Sequence, residues 1–308
     1  MGLRIRTNIT AMNGQRHLLL TTQALNTSME RLSSGKRINK AADDSAGLAI
    51  SEKMNAKVRS LVQAKRNAQD GISMVQTAEG GLNEISNIVT RLRELSVQAA
   101  SDTIGMQERE FLQKEFSQLK DEIDRIASVV DFNGTHLLMG DSNLPEIYRE
   151  FHNFSPLEIQ VGENYNSLVD SKSAQNPVNI IRVDMADLVA TTSGPASLQL
   201  GKSGEEHEVR IDSKTGAQTA IVRLDSALDQ VNNYRAQLGA IQNRLQSSIN
   251  NTAIQVESTM AAYSRIRDTD YAHESAASTQ QQILQQSGIA VLSQAVKMPE
   301  MALKLLDM

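Results

Sequence analysis

Side chains that could do chemistry are few in this sequence, and their spacing does not suit it. The five histidines, His17, His136, His152, His207 and His273, are scattered, with no pair at i, i+4. No H-E-x-x-H occurs, the helical pattern that sets two imidazoles against one zinc ion, so a metalloprotease has no ligand set. Gly201-Lys202-Ser203 matches the end of a phosphate-binding loop, but the glycine required five residues earlier is Ala196. Without it the backbone turn that cradles phosphates is incomplete. Asp43-Asp44 resembles a pair of catalytic carboxylates, yet adjacent acids just before a helix more commonly accept hydrogen bonds from its unpaired first amides. Asn8-Ile-Thr10 and Asn133-Gly-Thr135 fit the glycosylation acceptor pattern, which carries meaning only on a eukaryotic secretory route. Cysteine is absent, which excludes disulfides, thiolate metal sites and thiol nucleophiles together. The expectation is a chain that is not an enzyme and holds no cofactor or metal.

The elements that carry these residues are long and helical. Aromatic residues are only 3% of the 308 and tryptophan is missing, yet hydrophobic residues reach 40%. The apolar surface therefore comes from Leu, Ile, Val, Ala and Met, which fill helix seams better than thick globular cores. A net charge of -5 offers no electrostatic footprint for nucleic acid. No stretch approaches the roughly 20 apolar residues of a membrane span, so membrane insertion is not expected. The opening Met1–Thr10 is basic but lacks the apolar core of a signal peptide, and Leu18-Leu19-Leu20 is too short to supply one. Read alone, these features suit a soluble cytosolic chain.

Four of the five prolines, Pro145, Pro156, Pro177 and Pro195, fall between 145 and 195, and none comes earlier. Unbroken helix is permitted before them and forbidden among them. Leu18, Thr22, Leu25, Met29 and Leu32 step by four and three, one stripe of a helix that either covers a core or pairs lengthwise with another helix. Gly35 ends it. Asp43 and Asp44 then open a second helix, whose stripe runs through Ala68, Ile72, Val75, Ala78, Leu82, Ile85, Val89, Leu92, Leu95 and Ala99. Gly71, Gly80 and Gly81 sit inside it, each weakening it by roughly 1 kcal/mol relative to Ala. From Asp44 to Ala100 this helix would reach on the order of 85 Å, the length of a rod. A third helix fits 107–130, with Phe111, Leu112, Phe116, Leu119, Ile123 and Ile126 on one face, and Asn133-Gly134 follows as a tight-turn signal.

Between 135 and 214 the pattern changes to a short β-rich insertion. Leu157–Val161 and Val178–Val183 are strand-like, and Val209–Ile211 weakly so. Helix resumes from about Ala217 to Ile266, with Ile221, Leu224, Leu228, Val231, Leu238, Ile241, Leu245, Ile249, Ala253, Val256 and Met260 in a stripe. A last helix spans 272–306, where Pro299 should kink or loosen it. The expected fold is mainly α: an elongated rod of long antiparallel helices in coiled-coil-like packing, with a small β-hairpin and loop insertion in the middle.

Four blocks in order carry a resemblance. They are Leu32-Ser-Ser-Gly-Lys-Arg-Ile-Asn-Lys-Ala-Ala-Asp-Asp-Ser-Ala-Gly-Leu-Ala-Ile50; Arg91-Leu-Arg-Glu-Leu-Ser-Val-Gln-Ala99; Glu122-Ile-Asp-Arg-Ile126 with Phe132-Asn-Gly134; and Ser264-Arg-Ile-Arg-Asp-Thr-Asp-Tyr-Ala272 running into Gln282–Ala295. Over 1–140 and 215–308 the chain resembles the bacterial flagellins, with Ser34, Gly35, Arg37, Ile38, Asn39, Asp43, Asp44 and Gly47 forming the junction signature between their first two helices.

That resemblance implies a filament subunit for swimming motility. Such a chain is exported unfolded by the flagellar type III apparatus and folds at the tip through pairing of its terminal helices. It implies three divisions: 1–42 with 267–308 as the inner-tube coiled coil, 43–134 with 215–266 as the outer-tube rod, and 135–214 as the variable insertion. The implied packing residues are Ile9, Leu18, Leu25, Leu32, Ile283, Leu284, Val291 and Leu305, either between subunits or between the two terminal helices of one chain. Implied partners are further copies of the chain, an export chaperone, the filament cap, hook-junction proteins and an animal innate immune receptor. The receptor would read Arg91, Leu95 and Glu115, charges that also suit a solvated helix face. The implied location is the extracellular filament, which replaces the cytosolic reading. A hook–filament junction protein is the nearest alternative, and Ser293-Gln-Ala295 favours the filament subunit. A type III translocator would need an apolar hairpin, and a flagellin-borne metalloprotease a metal motif. The stretch 144–152, with Tyr148, Phe151 and the nearby Phe154, fits no family pattern.

Overall fold

The computed structural model describes residues 8–139, 156–165, 178–184, 198, 200–201 and 208–306, the last eight by backbone alone. Tyr148, Phe151, Phe154, His152, His207 and Lys202-Ser203 lie outside the described residues. The helices are α1 (Ile9–Ser34), α2 (Ser45–Ala99), α3 (Met106–Val129), α4 (Lys214–Arg267) and α5 (Tyr271–Leu306); the strands are β1 (Asp131–Phe132), β2 (Thr135–His136), β3 (Leu157–Gln160) and β4 (Ile180–Val183). The mainly α fold expected from the sequence is therefore the observed one, with two small antiparallel strand pairs among the described residues. The chain divides into two compact units, 1–58 with 257–308 and 59–256.

Unit 59–256 is held by the stripes that the sequence displays. On α2, Ala68, Val75, Ala78, Leu82, Ile85, Val89, Leu92, Leu95 and Ala99 are all buried, and Ile72 packs against them. Positions recurring every three and four residues share one helix face, so one stripe can line a core along its whole length. Against it lie Phe116, Ile123 and Ala127 of α3, and Leu224, Val231, Leu238, Leu245 and Ile249 of α4. Cross-helix pairs fix the directions. Arg91 meets Glu115 at 3.0 Å and Arg109 Nε donates to the Ala99 carbonyl at 2.8 Å, while Arg93 meets Asp225 at 2.6 Å and Leu245 Cδ1 lies 3.4 Å from where a Cβ of Gly71 would be. Both α3 and α4 thus run antiparallel to α2. Phe111, expected on the core face of α3, is exposed instead, with Lys114 Nζ 5.7 Å from its ring centroid. Lys120, one turn beyond Phe116, takes a fully buried place and pairs with Glu208 at 3.5 Å. A buried charge persists only when paired, and losing one partner costs about 3–5 kcal/mol.

Small residues let the strands approach α2. Asn133 and Gly134, at φ 52° and 80°, form the two-residue turn joining β1 to β2, in register Asp131↔His136 and Phe132↔Thr135. Two successive left-handed residues match the twist of the flanking strands, which is why Asn-Gly is favoured there. The hairpin leads into Leu137 and Leu138, both buried. A Cβ on Gly81 would lie 2.7 Å from Leu138 Cδ1 and 2.8 Å from Val130 Cγ2, so the glycine is a docking notch. Gly71 is another, under Ile159 of β3. The pair β3–β4 is antiparallel, Leu157↔Val183 through Gln160↔Ile180. Val209–Ile211 is not a strand, though the Val209 amide donates to the Leu200 carbonyl at 3.0 Å and the Ile211 amide to Gln113 Oε1 at 2.7 Å.

In unit 1–58 with 257–308, α1 begins at an Asn8 cap whose side chain accepts from the Ala11 amide, and ends at Gly35 with φ 67°. That left-handed residue closes the helix at little cost because it has no Cβ. Gly47 N donates to Asp44 Oδ1 at 2.9 Å, so Asp44 caps α2 as its position suggests. The last helix α5 continues through Pro299 to Leu306; the proline removes a donor without ending it.

Candidate functional site

The chemistry available to the first unit is that of surfaces, and it begins with how α1 and α5 meet. On α1 the positions shielded from solvent include 11, 14, 18, 21, 25, 28 and 32, with 22, 24, 27 and 31 beside them; on α5 they include 274, 278, 281, 285, 288, 292 and 295, with 275 and 277 beside them. Both series alternate steps of three and four, the spacing of a two-helix coiled-coil seam. The helices run antiparallel. Asn8 Nδ2 donates to the Ala295 carbonyl at 2.8 Å, Gln285 Nε2 to Thr22 Oγ1 at 3.2 Å, and Ser278 Oγ to Met29 Sδ at 3.8 Å. Arg31 closes the far end on Glu274 at 3.7 Å.

This seam is unusually polar. Ser28, Glu274 and Ser278 are buried in it, and Gln281, Gln285 and Gly288 occupy positions where coiled coils carry leucine. Leu18, Leu25, Leu32 and Leu292 contribute only half-buried side chains. Leu18 Cδ1 lies 3.5 Å from where a Cβ of Gly288 would be, and Leu292 Cδ1 lies 3.4 Å from that of Gly14. Of the stripe expected through Leu18, Thr22, Leu25, Met29 and Leu32, Met29 alone is exposed. Ser28 is buried and Met29 exposed, because the serine hydroxyl fits a close helix approach that the longer methionine does not.

The large apolar side chains point elsewhere. Ile9, Met12, Leu19 and Leu20 on α1, and Ile283, Leu284, Ile289, Val291, Val296 and Met298 on α5, are all exposed, Leu19 at 65% and Ile283 at 61%. Of the residues expected to pack at the termini, Leu18, Leu25 and Leu32 therefore sit in the seam within the chain. Ile9, Ile283, Leu284 and Val291 face solvent. The side chain of Leu305 lies outside the described residues. Composition alone missed Leu19, Leu20, Ile289 and Val296, because a solvent-facing apolar stripe cannot be told from a core-facing one until its partner helix is placed.

The two interhelix loops are tied together. Lys36 and Asp268 form an antiparallel bridge; the Arg37 amide donates to the Arg267 carbonyl at 2.6 Å, and Thr269 N to the Gly35 carbonyl at 3.1 Å. Arg37 Nη2 adds a bond to the Ile266 carbonyl at 2.7 Å. Ile38 is buried beneath them, and a Cβ on Gly47 would reach 2.8 Å from its Cδ1. Asp43 Oδ2 accepts the amides of Lys40 at 2.9 Å and Asn39 at 3.0 Å, and these bonds hold its carboxyl below the ordinary pKa. Lys40 reaches back to Glu30 at 2.9 Å, which raises the lysine. Ser34 Oγ accepts from the Lys36 amide at 3.2 Å. Arg267 pairs with Glu52 of α2 and lies 5.9 Å from the ring centroid of Tyr263; the Glu52 hydrogen bond raises its pKa. The junction signature thus gathers into one knot joining the ends of four helices. Glu52, Tyr263 and Arg267 belong to it as well, and only Arg267 lay within a recognisable block.

Relatives place this arrangement. Residues 5–143 match the bacterial flagellin N-terminal helical region, and residues 221–306 the bacterial flagellin C-terminal helical region. The chain is 41% identical to the flagellar filament 33 kDa core protein of Treponema phagedenis, over 98% of this chain and 99% of that one. It is 40% identical to the flagellin of Bacillus subtilis, over 99% and 100%. The chain belongs to the bacterial flagellin family. A solved structure of a putative flagellar hook-associated protein from Vibrio parahaemolyticus shares the fold at TM-score 0.55 and 11% identity, over 73% of this chain and 100% of that one.

As a flagellin, this chain is a structural subunit that polymerises into the flagellar filament. The family is one of structural proteins. Among the described residues no group of His, Cys, Asp or Glu is placed to hold a metal ion, and no helix is long and apolar enough to cross a membrane. The residues implied as a receptor face divide. Arg91 lies on the surface between Glu94 and Glu115, each at 3.0 Å, and its hydrogen bonds to Glu94 and then to Glu115 raise its pKa. Leu95 is 1% exposed, one face round the helix and inside the core, so it presents no surface to a partner.

Proposed function

We propose that the outward apolar faces of α1 and α5 are the subunit–subunit contacts that drive filament assembly, with residues 1–42 and 267–308 forming the inner tube. The observation that carries this reading is the division of labour on the two helices: the seam mixes half-buried leucines with small and polar side chains such as Ser28, Ser278, Gln285 and Gly288, while Leu19, Ile283, Leu284 and Val291 face out. A monomer gains little by burying Ser28 and Gln285, and exposes apolar surface that neighbouring copies can cover. Folding of the ends and addition to the filament are then one event, since a seam this polar is marginal alone. Residues 43–134 and 215–266 form the outer tube and 135–214 its variable surface.

The same reading covers export. A chain without cysteine cannot cross-link while it travels unfolded through the type III apparatus to the extracellular filament. An export chaperone covers the apolar stripes before assembly, and the cap and hook-junction proteins receive them at the two ends. The chain carries out no catalysis. For an animal innate immune receptor, the reachable part of the implied face is the Arg91–Glu115 pair.

Deletion of the residues after Ser278 removes most of α5, including the outward stripe. The truncated chain is expected to keep the helicity and cooperative unfolding of unit 59–256. It should fail to elongate filament fragments used as seeds, followed by electron microscopy and sedimentation. Normal elongation by the truncated chain would overturn the proposal.

A further inference from the structure

We propose that the Asn133–Gly134 turn is a deamidation site, held closed in the folded protein by the Asp131 carboxylate. Asn133 and Gly134 are exposed at the tip of the β1–β2 hairpin, so water reaches both. An asparagine followed by glycine lacks the side chain that would shield the next amide nitrogen from the asparagine carboxamide. Attack by Gly134 N on Asn133 Cγ forms the N–Cγ bond of a five-membered imide and breaks Cγ–Nδ2. The Gly134 proton departs with the leaving group as ammonia. Water then opens the imide at either carbonyl, giving aspartate or isoaspartate. No oxidant, and no reagent other than water, is needed.

In the fold the attacking atom is engaged. Gly134 N donates to Asp131 Oδ2 at 3.0 Å. A carboxylate is a far weaker base than an amide anion, so this contact does not strip the proton. It directs the N–H away from Asn133 and must break before attack. The hairpin opposes reaction too, because the register Phe132↔Thr135 limits the rotation about the Asn133 Cα–C bond that would bring its Cγ onto Gly134 N. Unfolding removes both restraints at once.

The product matters because of what the turn anchors. Isoaspartate routes the backbone through the Asn133 Cβ and lengthens a two-residue turn by one atom. The lengthened turn no longer fits the β1–β2 register, nor the Leu137 amide bond to the Val130 carbonyl at 3.1 Å. Leu138, which fills the Gly81 notch, and its buried neighbour Leu137 lose that anchor.

The test is peptide mapping by mass spectrometry of the full chain incubated at mildly alkaline pH, folded and in urea. The wild type is expected to convert slowly when folded and at least about tenfold faster in urea. A hydrogen bond to a charged acceptor has to be given up before attack, so Asp131→Ala should speed the folded-state reaction by about tenfold. It should leave the rate in urea unchanged. Asp131→Asn keeps an acceptor oxygen and should fall between the two, which separates loss of the bond from general loosening of the turn. Circular dichroism confirms that each variant is folded. A folded-state rate in Asp131→Ala equal to or below the wild type overturns the proposal, as does a wild-type rate in urea no faster than in the fold.

Discussion

Replacing Ile283 and Val291 together by serine should cripple assembly and leave the subunit intact. Both side chains leave α5 on the side away from α1, at 61% and 59% exposure. Taking such a side chain wholly out of water is worth about 1.5–3 kcal/mol, so the portion still exposed leaves about 1–2 kcal/mol for neighbouring subunits to supply. Residues 283 and 291 stand about 12 Å apart along the helix, far enough for their losses to add. The pair then weakens each subunit's addition by about 2–4 kcal/mol. At about 1.4 kcal/mol per factor of ten, the critical concentration rises between about 30-fold and several hundred-fold. Area-based figures of this kind are upper bounds, so the lower end is the firmer expectation. The critical concentration is read by sedimentation after seeding wild-type and variant chains with the same wild-type fragments. Far-UV circular dichroism of the monomers should coincide, because neither side chain lies in the α1–α5 seam. A wild-type critical concentration in the double variant would mean that these side chains stay in water in the filament, and would refute the assignment of this face to assembly.

Two further outcomes follow from single sites. The neighbouring glycines of α2 should respond with opposite signs. Nothing lies within 4 Å of a Cβ at Gly80, so Gly80→Ala should gain about 1 kcal/mol from helix propensity. At Gly81 the new methyl would meet Leu138 and Val130 at 2.7 and 2.8 Å, and an overpacking loss of about 1–3 kcal/mol offsets that gain. Urea unfolding measures both; an equal rise in the two would show that the hairpin gives way freely. At the junction, Asp43 is held below its ordinary pKa of 3.8 chiefly by the Lys40 amide and then by that of Asn39. With the folded value depressed, the unfolded chain binds the extra proton first. The contribution is therefore complete above about pH 4 and lost as pH falls through the folded value. Asp43→Asn should flatten that acid limb, seen as a smaller difference between unfolding curves at neutral and strongly acid pH; an unchanged acid limb would rule the Asp43 contacts out as its cause.

Much of the fold was legible before any coordinates. Gly35 and Asp44 bound the first junction where turn and cap chemistry put them, and the α2 stripe from Ala68 to Ala99 is the core face it resembles. Asn133-Gly134 marked a turn, although two strands too short to announce themselves flank it. Phe111 shows where periodicity fails, and Leu95 where periodicity is the better guide than a surface role. Phe111 sits at the edge of an apolar stripe wider than the groove that receives it. Leu95 belongs to a run whose charged neighbours suggest a surface, while its own phase puts it inside. Lys120 carried no signal at all, since its burial depends on Glu208, which is 88 residues away.

The sequence by itself determined where helices start and stop, because caps and breakers are local properties of a chain. Which side of each terminal helix meets the other was decided only in three dimensions. Leu18 and Leu25 on α1, and Ile283 and Val291 on α5, are equally apolar, yet the first pair lines the seam and the second faces out. The reason is the partner's shape. Gly288, Ser278 and Gln285 let the helices approach along a polar strip of α5, and that contact turns the larger side chains of α5 toward whatever lies beyond the subunit.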